Sequence, residues 1–186
     1  MSVTRDAPDL ESLVRTLAAN RVRYVVTGST AALLLGVELS PGDFDITPDL
    51  DAANLRRLRA ALDTIDARPD PDGPFGDWVL QPDGERRWIE REARPGEREA
   101  RLAWHPDPRR PRDFDALLTT RYGNLDVVPE IAGRFDDLSS RALTVTVFGY
   151  PVLVESIEDQ LATLTVARRA KDRDRTLALR ALQRAG

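Results

Sequence analysis

Residues 25–47 read VVTGSTAALLLGVELSPGDFDIT. Arg23 to Thr27 has the apolar content of a buried strand, and Gly28-Ser29-Thr30 breaks it. Ala31 to Leu35 then opens an apolar helix that closes at Gly36. Ser40-Pro41-Gly42 is a turn, and Asp43-Phe44-Asp45-Ile46-Thr47 alternates as a half-buried strand does. That alternation sets both Asp side chains on one face of the strand and Phe44 and Ile46 on the other.

Each part of this unit suits phosphate chemistry. A Gly-Ser turn at a helix start offers backbone N–H groups and a hydroxyl to a phosphate. Two carboxylates at i and i+2 of a strand converge on one side, where they can hold Mg2+ bridging a nucleoside triphosphate. A later strand, Asn124-Leu125-Asp126-Val127-Val128, stopped by Pro129, carries a third carboxylate. An Asp in an apolar strand is costly unless it is paired, hydrated or metal-bound. Asp126 could thus complete the second metal site, take the proton from an attacking hydroxyl, or form a buried pair with an Arg. Arg121, five residues earlier in the same segment, is a structural partner for Asp126 or a phosphate clamp.

The D-x-D pattern alone is uninformative, because it recurs at Asp49/Asp51, Asp70/Asp72, Asp113/Asp115 and Asp172/Asp174. Solvated loops and helix caps explain those copies. Asp43/Asp45 differs by its place on an apolar strand one helix after Gly28-Ser29.

Outward from this unit, Leu10, Leu13, Val14 and Leu17 predict an amphipathic helix over Asp9–Asn20, and Asp51–Asp66 predicts a stronger one. Between Arg68 and Arg112 Pro, Gly, Asp and Arg dominate, which predicts a loop-rich insertion with a small helix or hairpin. Regular structure resumes at Phe114 to Leu118. Leu143–Phe148 and Val152–Val154 predict a hairpin around Gly149-Tyr150-Pro151. Ser156 followed by Asp159 is a capping-box-like helix start, and a final helix spans about Lys171 to Arg184. The 186 residues suit one domain.

Composition narrows the chemistry. The chain has no Cys and one His, His105, so disulfides, thiolate nucleophiles, zinc-thiolate and multi-His metal sites are excluded. Carboxylates, hydroxyls and Arg remain, a set that suits hard cations bound through oxygen. Net charge is −4, which opposes a nucleic-acid-binding field over the whole protein. Arg86, Arg87, Arg109, Arg110 and Arg112 with Trp88 and Trp104 would make a basic aromatic platform for RNA. Interleaved acids make a solvated loop the better reading of them. His105, beside Trp104 and Pro106, reads as a loop histidine. With no apolar run of spanning length and no leader pattern at MSVTRDAPDL, a cytoplasmic protein without membrane association is expected.

Three segments carry a family resemblance: VVTGSTAALLLGVELSPGDFDITPDLDAANLRRLRAAL, TTRYGNLDVVPEIAG and SIEDQLATLTVARRAKDRDRTLALRAL. Together they resemble the minimal nucleotidyltransferases of the DNA polymerase beta superfamily. More narrowly they are similar to its AbiEii-like or MenT-like branch, some of whose members are toxins of toxin–antitoxin pairs. The similarity covers about residues 20–66 and 117–184. It implies an α+β fold with a mixed sheet of about four or five strands, helices on one face, carboxylates at an open edge of the other, and a C-terminal helical pair. It further implies an NTP co-substrate with Mg2+, and Asp43, Asp45 and Asp126 as catalytic and metal-binding residues. Gly28 and Ser29, with Arg121 and Lys171, would contact the nucleotide. An RNA acceptor such as a tRNA 3′ end and a cognate antitoxin are the partners implied. The pattern departs at Leu164, where members of the branch often carry a Lys, and Lys171 matches a separate basic position. A small-molecule or protein acceptor, or a non-catalytic nucleotide- or partner-binding module on the same fold, stays open.

Overall fold

The computed structural model describes residues 7–71, 73–82, 86–130, 132–164 and 170–185. The chain is α+β, built on a mixed sheet of seven strands.

Helix α1 (Leu10–Ala19) starts where the Asp9 carboxylate accepts the Ser12 N–H, satisfying one of the donors a helix start leaves open. Strand β1 (Tyr24–Val26) leads into α2 (Gly28–Leu34), and β2 (Phe44–Pro48) returns antiparallel to β1. Helix α3 (Ala52–Thr64) is capped by Asp51, whose carboxylate accepts from the N–H groups of Ala53 and Asn54. The stretch expected to be loop-rich holds β3 (Arg68–Pro69), a hairpin of β4 (Phe75–Leu80) and β5 (Arg86–Arg91), and the short helix α4 (Glu97–Leu102). Strands β6 (Ala116–Thr120) and β7 (Gly123–Val127) form a second hairpin, followed by α5 (Phe135–Ser139). A third hairpin, β8 (Leu143–Val147) and β9 (Tyr150–Val154), precedes α6 (Ile157–Thr163) and α7 (Ala170–Ala185). Its turn, Phe148-Gly149, has positive φ at both residues, a twist that matches the flanking strands.

The sheet order is β3-β6-β7-β2-β1-β9-β8, with β2 at the centre, parallel to β7. The expected four or five strands fall short because the two-residue β3 joins β6, widening the sheet beyond the hairpins legible in the sequence. On one face Val26, Phe44, Ile46, Leu125, Val127, Val152 and Val154 pack with Leu13, Val14 and Leu17 of α1 and Leu55, Leu58 and Leu62 of α3. Phe44 is fully buried, and burial of such a ring contributes about 2–3 kcal/mol.

Helices on one face alone is corrected. Val25 and Leu153 point the other way and pack with Phe135 and Leu138, so α5 covers part of the second face. Helix α2 joins the C-terminal pair through Ala32, Val37, Leu164 and Leu179. Leu164, at the departure from the family pattern, is thus a buried packing residue between helices. No helix among the described residues is long and apolar enough to cross a membrane.

Candidate active site

Val25 and Thr47 are register partners, as are Asp45 and Asp126. Side chains two residues apart on a strand share a face, so Asp45 and Asp126 stand on the face that α5 covers only in part. The expected open sheet edge is corrected: β2 and β7 are interior strands. Asp43 lies in the bend just before β2 rather than on it. That bend is held at two points, where the Thr30 hydroxyl donates to the Asp43 carbonyl at 2.8 Å and Asn124 Nδ2 donates to the Gly42 carbonyl at 3.2 Å.

The β1–α2 turn approaches the same carboxylates. Thr27 N–H donates to the Asp45 carbonyl at 3.0 Å. Gly28 has φ +68°, and a Cβ there would sit 2.1 Å from Asp45 Oδ2. Glycine is required twice over, for the left-handed backbone and for the space the Asp45 carboxylate occupies.

These residues line one cleft of about 940 Å³. Gly28, Ser29, Asp43, Asp45 and Asp126 all border it, brought from the β1–α2 turn, the β2 entry and β7. The far wall comes from the C-terminal helical pair, through Gln160, Leu164, Asp172, Asp174 and Arg175. Among the described residues, no three carboxylate or His side chains gather around one point as a preformed metal cage. Mg2+ bound with a triphosphate needs only one or two protein carboxylates, the substrate supplying further oxygens. The side-by-side pair Asp45 and Asp126 fits that mode.

Glu155 is a site residue that the sequence reading missed. It follows β9 directly, its N–H donates to the Val26 carbonyl at 2.9 Å, and it is 2 % exposed. Its Oε1 has no hydrogen-bond partner. Burial raises its pKa to about 7; the Gly28 N–H opposes that shift, Asp159 adds to it and Arg175 opposes it. A Glu between the apolar run Val152–Val154 and the helix cap Ser156 was the available signal, since a carboxylate there must enter the interior or bend out. The β1–α2 turn offers a phosphate the Ser29 backbone and hydroxyl, with Gly28 providing room.

Of the two other expected nucleotide contacts, Arg121 lies elsewhere. Arg121, in the β6–β7 turn, pairs with Asp66 and is half exposed. The Lys171 side chain lies outside the described residues. His105 contacts the Arg59 guanidinium. Arg109 and Arg110 pair with Asp107, and Arg110 also with Asp113, as the interleaved acids suggest. The side chains of Arg86, Arg87 and Trp88 lie outside the described residues. No family model and no curated protein matches the chain.

Proposed function

We propose that this chain is a Mg2+-dependent nucleotidyltransferase, moving a nucleoside monophosphate from an NTP to a hydroxyl acceptor on a polymerase beta-like core. One observation carries the reading: Gly28-Ser29, Asp43, Asp45 and Asp126, distant in sequence, border a single cleft. The charge of that cleft supports a metal. Glu38, Asp43, Asp45, Asp126, Glu155, Asp172 and Asp174 line it against Arg175 among the described side chains, and a triphosphate enters such a field only with its charge neutralised. Asp45 and Asp126, with Asp43 beside them, would hold Mg2+, which when bound polarises the phosphates and offsets charge on the leaving group.

The residues divide the remaining work. Ser29 orients the phosphates from the helix start. Asp126, buried beside Asp45, accepts the proton of the acceptor hydroxyl as its oxygen attacks the α-phosphorus. The bond from the α-phosphorus to the bridging oxygen breaks, and pyrophosphate leaves. The acceptor that the family resemblance favours is the 3′ end of an RNA such as tRNA, in a toxin held by a cognate antitoxin, acting in the cytoplasm.

A second reading, a nucleotide-binding module without transferase activity, is favoured by the apolar Leu164 on the cleft wall. Incubation with each NTP labelled at the α-phosphate, with Mg2+ and total RNA, small-molecule or protein acceptors, separates the two. Transfer to any acceptor supports the enzyme, and NTP binding without transfer to any of them supports the module.

A further inference from the structure

The two edges of the seven-stranded sheet are built differently. At one end β3 has only two residues, Arg68 and Pro69, and α4 packs against it. A very short strand, a charge, a proline and a covering helix all discourage another chain from pairing with a sheet edge. At the other end β8, Leu143-Thr144-Val145-Thr146-Val147, has none of them. It has five residues, none charged and none proline, and it pairs with β9 without a bulge. Among the described residues, no segment other than β9 hydrogen-bonds to its backbone.

Pro151 identifies the backbone groups that are open. It has no N–H and is the register partner of Thr146, so this is a non-hydrogen-bonded pair of the antiparallel ladder. Such pairs alternate, which makes Thr144 and Leu153 another. Thr144 and Thr146 therefore turn their N–H and C=O groups away from β9. Both threonines are exposed, and they stand on the sheet face of Leu153. Leu143, Val145 and Val147 stand on the core face with Val152 and Val154, and Leu143 is 47 % exposed where that core reaches the edge.

The strand is its own complement. Laid antiparallel on a second copy about a two-fold axis at Val145, it sets Thr144 opposite Thr146, Val145 opposite Val145 and Leu143 opposite Val147. Each threonine pair can then exchange both of its backbone hydrogen bonds, and threonine and β-branched pairs are favourable cross-strand neighbours. The apolar pairs continue the core face from one protomer to the other, and a slip of one residue would reverse the faces. A two-fold interface demands such self-complementarity.

We propose that β8 is a homodimer interface, through which two copies of the chain pair edge to edge in the register centred on Val145 and join their sheets into one. No residue of β8 borders the cleft, so the interface is independent of the chemistry there. A five-residue strand is short beside the roughly 20–30 residues a side of a standard interface, and reversible association is expected.

The test is sedimentation equilibrium of the full chain from about micromolar to millimolar concentration, with wild type, T144K/T146K and T144K/T146E. In this register the first variant sets like charges opposite one another and the second sets opposite charges there. Wild type should form a dimer, T144K/T146K should associate about tenfold or more weakly, and T144K/T146E should recover the association. Circular dichroism melting confirms that each variant is folded. Amide exchange needs no variant: the Thr144 and Thr146 N–H groups of wild type should exchange more slowly as concentration rises. A wild type that stays monomeric, undiminished association of T144K/T146K, T144K/T146E no stronger than T144K/T146K, or concentration-independent exchange at both threonines in the dimer overturns the interface.

Discussion

Asp45 and Asp126 are register partners on adjacent parallel strands in the interior of the sheet, so two carboxylates from segments 81 residues apart project from one face. Like charges directly opposite one another destabilise a sheet, and a cation shared with a bound triphosphate would relieve them. Mg2+–NTP at 100 times its dissociation constant should stabilise the fold by about 2.7 kcal/mol. In D45N and D126N the same additions should give little or no shift in thermal denaturation. A full shift in both variants would remove these carboxylates from the site.

Gly28→Ala should damage the protein far more than Gly36→Ala. Both glycines have positive φ, but a Cβ at Gly36 meets nothing within 4 Å, whereas at Gly28 it overlaps the Asp45 carboxylate. The expected cost is about 1 kcal/mol at Gly36, from backbone conformation alone. At Gly28 it should exceed about 2 kcal/mol as the clash adds to strain. Urea denaturation of the two variants measures the difference.

Much of this arrangement was legible because short-range rules governed it. Phe44 and Ile46 alternate with the acids, so the face carrying Asp45 follows from period two, and the helices begin at Asp9 and Asp51 where the periodicity starts. The rest depends on contacts between remote segments. The face covered by α5 is invisible in Phe135-Asp136-Asp137-Leu138-Ser139, too short for a periodic signal. The edge strand β3 has only two residues, and Arg121 finds Asp66 across 55 positions of sequence. Glu155 reads locally as the end of a strand, and only the return of β9 beside β1 brings it under Gly28.

Asn54 should rank among the most sensitive polar residues for stability. It is fully buried and bonds Arg23 N–H at 2.7 Å through Oδ1, and the Arg23 and Asp49 carbonyls at 2.9 and 2.8 Å through Nδ2. It thereby ties α3 to the loop before β1 and to the end of β2. Asn54→Ala strands backbone groups and leaves a cavity, so a loss of about 2–4 kcal/mol is expected in equilibrium unfolding.

Glu155 should leave a signature in the pH dependence of stability. Its pKa rises from 4.5 to about 7 on folding, so between these values the folded state holds the proton more tightly. Stability from this group is full below pH 4.5 and is lost as pH rises through 7. Glu155→Gln has no charge to bury, so relative to the wild type it should gain stability from pH 4.5 to pH 8, by up to about 3 kcal/mol. Parallel stability curves across that range would show that Glu155 does not titrate in this window.

The most direct test of the nucleotidyltransferase account follows the label from two positions of the same NTP, with wild type, D45N and D126N. The account predicts that label at the α-phosphate passes to the acceptor with wild-type protein and Mg2+. Label at the γ-phosphate should leave with pyrophosphate, and either substitution should reduce α-transfer by about a hundredfold or more. Transfer of γ-label, or α-transfer undiminished in both variants, would contradict it.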